Sequence, residues 1–263
     1  MIAVESVLRR ERAVMAAALA ALVVLAWVYV WRGAGMGMAA LDMTALTLFP
    51  HLHPGGAGEM AVAWPTVAMM WWVMMIAMMT PSAAPFVLLY AAVLRRHAGT
   101  GQNGYASSAF LLGGYLAVWL VFSMGAATLQ QALQPEGLIS AMMLWSRSAT
   151  LSAIVLAGAG LYQLSPLKHA CLKQCRGPVD FLTRYWRPGR LGAFAMGVRH
   201  GAYCVGCCWA LMALLFVGGV MNLAWIAMLA LLVLMEKLSP AGPAIGRAAG
   251  LLLLAWAAAT LLV

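Results

Sequence analysis

What most constrains this chain is the recurrence of apolar stretches near or above the roughly 20 residues that an α-helix needs to cross a bilayer. Seven can be drawn, at about 13–31, 62–94, 105–132, 142–164, 192–219, 222–238 and 244–263. In hydrocarbon no water is available to backbone polar groups, so such stretches satisfy them internally as helices. Only 9% of the residues are charged and 65% are hydrophobic, whereas a soluble domain carries about 25% charged residues. The predicted fold class is therefore all-α: one polytopic membrane helix bundle over residues 1–263, in contact with lipid, with no soluble domain and no internal repeat.

The net charge of +9 points to the bilayer and not to nucleic acid, because its carriers fall in short connections. With the N-terminus inside, residues 1–12, 95–104, 165–190 and 237–247 are cytoplasmic. They hold every Lys and Arg except Arg32, Arg147 and Arg199. Basic short loops stay on the cytoplasmic side, so the orientation is N-in, C-out. The first apolar stretch has no small-residue cleavage site and is long enough to anchor, so it is read as a span. Pro81 and Pro85 should kink or break the second. Residues 62–94 are read as one long bent helix, with two shorter pieces as the alternative. Residues 165–190 are read as the longest basic loop.

The chemistry gathers in R-H-G-A-Y-C-V-G-C-C-W-A-L-M, residues 199–212. At about 100° per residue, His200, Cys204, Cys207 and Cys208 share between a quarter and a third of a helix surface. Met196 and Met212 flank the stripe. Three thiols and an imidazole on one face suit a soft metal ion. The plainer reading is that cysteine behaves as a small, buried hydrophobe, but three of the chain's five cysteines within one such run exceed what packing alone asks for. Arg199, one turn away, either faces the bundle or water, where its charge would favour thiolate, or anchors the helix at the inner interface.

Sulfur recurs elsewhere. Met69, Met70, Met74, Met75, Met78 and Met79 form a ladder in the second stretch. Thioethers are neutral, weak, soft ligands suited to Cu(I); methionine is also a flexible core filler. Cys171-Leu-Lys-Gln-Cys175, behind Lys168-His169, can bind one ion if helical or tightly turned, and is otherwise two unrelated thiols. His51-x-His53, with Met36, Met38 and Met43, lies in an outer loop that reads either as a copper collector or as ordinary solvated chain. Glu236, beside Lys237 at the inner end of the sixth stretch, takes part either in proton or metal traffic or in an interfacial ion pair with Lys237, Arg199 or another cation. Phosphate-loop, lipase and zinc-peptidase motifs are absent.

Three strings together carry a resemblance: M-M-I-A-M-M-T-P-S-A-A-P, G-L-Y-Q-L-S-P-L-K-H-A-C-L-K-Q-C-R-G-P and C-V-G-C-C-W-A-L-M-A-L-L-F-V-G-G-V-M-N-L-A-W. Over about residues 60–240 the chain resembles bacterial predicted metal-binding integral membrane proteins, a family that includes a polyphenol-oxidase-associated copper chaperone. The resemblance implies a protein of the bacterial inner membrane that helps load copper into a membrane or periplasmic cuproenzyme. The positions it brings forward are Met75, Met78, Met79, Cys171, Cys175, Cys204, Cys207, Cys208 and Glu236; His200 rests on the helical-face argument alone. The leading expectation is Cu(I) handling without covalent catalysis, another soft metal ion being the alternative cargo. Its rivals are a membrane thiol–disulfide oxidoreductase, built on Cys204-Val-Gly-Cys207, and a metal-free accessory subunit of a larger membrane complex.

Overall fold

The computed structural model describes residues 2–37, 39–49, 52, 62–97, 104–140 and 144–263, with backbone alone at 2–11, 96–97 and 104. All regular elements among them are helices: α1 (Ile2–Trp31), α2 (Trp64–His97), α3 (Gly104–Leu133), α4 (Ala149–Leu164), α5 (Pro166–Arg176), α6 (Pro178–Tyr185), α7 (Gly189–Ala213), α8 (Leu215–Gly218), α9 (Leu223–Leu238) and α10 (Gly242–Leu262). By length and composition, five helices are apolar and long enough to cross a membrane, or six if α4 and α5, bent by 63° at Ser165, count as one span. The sixth stretch read from the sequence is α9, which at 16 residues falls short of the roughly 20 that a span needs.

α2 runs unbroken through Pro81 and Pro85, as one long helix. Two differences from the sequence reading bear on the site. The fourth stretch becomes helical only at Ala149, where the Ser148 hydroxyl accepts from the Leu151 amide as an N-cap. Before it, Ile139 and Ser146 form a short antiparallel bridge. The expected loop 165–190 is instead mostly α5 and α6. Ser165 caps α5 by accepting from the Lys168 amide, and Pro166 and Pro178 open the two helices. Proline suits a first turn because its missing N–H would be unpaired there in any case.

Close backbone approach sets the centre of the bundle. A Cβ at Gly197 of α7 would collide with the Leu111 carbonyl of α3, and one at Gly114 with the Phe194 carbonyl. Small residues let helices without a hydrophobic driving force pack backbone to backbone. α3 is thus laid along α7, which fixes the side of α7 that carries the cysteines. α2 packs on α3, and α10 on α4. At the opposite end, Asn222 caps α9 and donates to the Ala45 carbonyl at 2.7 Å, while the Leu223 amide donates to Thr44 Oγ1 at 3.1 Å. The segment 39–49 is thereby docked on the start of α9, with Met43 buried.

Candidate metal centre

The α7 stripe faces inward: Cys204, Cys207 and Cys208 are each 1% exposed and His200 is 3% exposed. One helix cannot enclose an ion with residues on a single stripe, so what meets it decides its chemistry. From α5, Cys175 Sγ lies 3.9 Å from Cys207 Sγ. From α2, Met79 Sδ lies 3.9 Å from Cys208 Sγ. Two sulfurs about 2.3 Å from one ion, the usual metal–thiolate length, stand about 3.9 Å apart when the angle between them is near trigonal. Both pairs therefore match donors that share a soft ion. The Cys204 carbonyl ties them together, accepting from Cys207 Sγ at 3.2 Å and Cys208 Sγ at 2.9 Å. Among the described residues, no group of three His, Cys, Asp or Glu side chains stands ready to hold an ion; the sulfurs meet in pairs. All five cysteines are free thiols.

The third thiol is held differently. Lys237 of α9 donates to Cys204 Sγ at 2.9 Å and to Ser82 Oγ at 3.1 Å. The Tyr115 hydroxyl of α3 lies 3.1 Å from the same sulfur and donates to the Met79 carbonyl at 3.2 Å. Ser82 donates to that carbonyl too, at 2.9 Å. The cluster thus takes side chains from α2, α3, α5, α7 and α9. Sequence reasoning missed Ser82, Tyr115 and Lys237. For Lys237 the signal was its place at the inner end of an apolar stretch; for Tyr115 and Ser82 no local signal sets them apart.

The remaining predicted positions fall around this centre. Met75 and Met78 are buried in the same core as the α7 thiols, together with Met70 and Met74, while Met69 is exposed. Cys171 is half-buried, and a Cβ at Gly206 would come within 2.9 Å of its sulfur. The Gly206 carbonyl is bonded by the Tyr162 hydroxyl of α4. His200 lies in an aromatic box. Its ring stacks on Phe86 at 4.0 Å and lies 5.2 Å from Phe181 and 5.9 Å from Tyr115. Its Nδ1 is buried without a hydrogen-bond partner.

Glu236 turns away from the sulfurs. Its carboxylate pairs with Lys168 of α5 at 2.6 Å and accepts from Gln163 Nε2 at 2.7 Å, and Lys168 also donates to Gln163 Oε1. Of the mates expected for Glu236, it is neither Lys237 nor Arg199 but another cation, Lys168, that forms the pair. Neighbouring residues on a helix point about 100° apart and do not face each other. Arg199 is exposed and covers the Tyr185 ring, 4.1 Å from its centroid. His51, His53 and Met38 lie outside the described residues.

A family model with the description copper chaperone, PpoB2, matches residues 68–260. That range takes in every side chain of the cluster. No curated protein matches the chain, and no solved structure does.

Proposed function

The chain belongs to the PpoB2 family of copper chaperones, and from that premise we propose that it is a bacterial inner-membrane protein that holds Cu(I) on buried sulfur and passes it to a partner cuproenzyme. The observation that carries the reading is the meeting of Cys207 and Cys208 with sulfur from two other helices, Cys175 and Met79. Thiolates give affinity for a soft monovalent ion, and a thioether completes a shell that can still be dismantled. Copper is cargo here and keeps its oxidation state throughout. An ion enters or leaves at Cys171 and Cys175, on the half-buried face of α5. It moves to Cys207 and Cys208 by exchanging one sulfur for another, and Met75 and Met78 lie close enough in sequence to Met79 to take part as the shell changes. His200 and Glu236 serve the site by packing and by anchoring α5.

In this reading the chain crosses the membrane seven times, N-in and C-out. α4 and α9 have 16 residues each. Each is about 24 Å long at about 1.5 Å per residue, short of the roughly 30 Å hydrocarbon core. The largely buried irregular backbone before them, at 144–148 and 219–222, supplies the missing depth, joined where the Val220 amide donates to the Leu144 carbonyl at 3.2 Å. Irregular backbone is tolerated at depth when protein surrounds it. The docking of 39–49 on the start of α9 and the Lys168–Glu236 pair at its end fit one outer and one inner face.

Replacing Cys204 and Cys208 together by Ser should abolish copper retention by protein purified in detergent, measured as metal per chain. Unchanged stoichiometry would remove these thiols from the account. Thiol–disulfide exchange is the rival that the 3.9 Å contact of Cys175 with Cys207 keeps in view. It gives Met79 no role, and it predicts alkylation that depends on redox poise and not on copper.

A further inference from the structure

Resting on the copper reading, we infer that Lys237 is a specificity-determining residue: its ammonium, fixed against the sulfur cluster, selects a monovalent over a divalent soft ion. Its surroundings are unusual for a buried cation. Lys237 is 6% exposed, and its bonds go to Cys204 Sγ and Ser82 Oγ. The carboxylate beside it in sequence, Glu236, is committed to Lys168. Among the described residues, Lys168–Glu236 is the ion pair in this region, so no carboxylate faces Lys237. A buried charge needs a counter-charge, and among the described residues the acidic group that Lys237 bonds is the Cys204 thiol, which itself lies 3.1 Å from the Tyr115 hydroxyl.

The charge count then favours one kind of cargo. In a site of two thiolates, such as the touching pair Cys175 and Cys207, one monovalent ion and one ammonium bring the sum to zero, whereas a divalent ion in the same place leaves a buried positive charge. A second unit of charge within a few ångströms of an ammonium is repelled strongly enough, at an effective dielectric near 20, to change relative affinity roughly tenfold or more. Softness alone does not exclude divalent ions, because thiolate ligands suit zinc as well as Cu(I). Other cations of the described residues are engaged elsewhere: Lys168 by Glu236, Arg176 by the Glu236 and Pro240 carbonyls, and Arg199 by the Tyr185 ring.

The test uses full-length protein in detergent, titrated with Ag(I), a redox-inert monovalent soft ion, and with Cd(II), a divalent one, each against a competing chelator. The ratio of Cd(II) to Ag(I) affinity should rise roughly tenfold or more in Lys237→Gln, which loses the charge but can still bond Ser82 and Cys204. Lys237→Leu should shift the ratio the same way, and it decides the matter if the Gln variant does not purify folded. Lys237→Arg should keep the wild-type ratio. An unchanged ratio in the neutral variants, or an equal shift in the Arg variant, overturns the role of Lys237 and leaves the copper reading standing. Failure of the wild type to bind Ag(I) overturns both.

Discussion

Two buried polar clusters lie on either side of the last turn of α9, and they are finished to different degrees. On one side Glu236, Lys168 and Gln163 satisfy one another, with charge opposite charge and amide bonded to both. On the other, Lys237 meets a thiol, two sulfur pairs touch at 3.9 Å, and among the described residues no carboxylate pairs with Lys237. The closed cluster has nothing left to bind. The open one gathers soft sulfur donors from three helices whose contacts are the weaker ones of thiols. A protein that needs only to stand up in a membrane would build the first kind alone, so the second is where a ligand is expected.

If that contrast is right, the closed cluster should govern stability and the open one affinity. Glu236→Ala strands a buried ammonium, and breaking a buried pair from one side costs about 3–5 kcal/mol. The melting temperature in detergent should fall steeply, while the apolar double replacement Lys168→Met with Glu236→Leu should recover most of the loss. The closed cluster also anchors α5, whose far end is held by Arg176 donating to the Glu236 and Pro240 carbonyls at 2.5 and 3.4 Å. A smaller fall should follow in the open cluster from Cys175→Ser, and in affinity instead of stability. Cu(I) affinity should drop roughly tenfold or more, since even outer-shell partners of a metal are worth about 10–100-fold, with little change in melting temperature. Equal effects on both properties would erase the distinction between the clusters.

How far this contrast could be seen beforehand depends on how local its causes are. The Cys204, Cys207 and Cys208 stripe was legible because a helix converts spacing directly into a face. Met79 and Cys175 were legible as candidates, since runs of sulfur stand out in any sequence. Which thiol each one meets was not, because the close packing of α3 on α7 at Gly114 and Gly197, which fixes the side of α7 that carries the cysteines, is announced by no periodicity. Glu236 was read with Lys237, Arg199 or another cation as its mate, and the sequence did not choose among them. Adjacency on a helix separates side chains, and each found its partner on a different helix. Lys168 was hidden by the reading of 165–190 as loop. Ser165 before Pro166 is an N-cap signal, but the density of Lys and Arg outweighed it. His200 lies on the right face by angle, and its aromatic neighbours come from α2, α3 and α6.

Two smaller effects sharpen the comparison further. Met79→Leu conserves volume, which costs less than about 1.5 kcal/mol in a core. It should weaken Cu(I) binding less than any thiol variant while leaving the fold intact, as read by competition with a chelator. His200→Phe should change copper stoichiometry least of all, because the ring's work is stacking on Phe86; removing an unpartnered nitrogen should leave stability equal or slightly raised. A large loss of copper on that substitution would move the aromatic box into the binding site.

The central claim is that sulfur from separate helices shares one ion. X-ray absorption at the copper edge, on Cu(I)-loaded protein in detergent, measures that shell directly. The account predicts sulfur neighbours at about 2.3 Å, lost when Cys204, Cys207 and Cys208 are replaced together by Ser. A shell of nitrogen and oxygen in the wild type, or an unaltered sulfur shell in the triple variant, would contradict it.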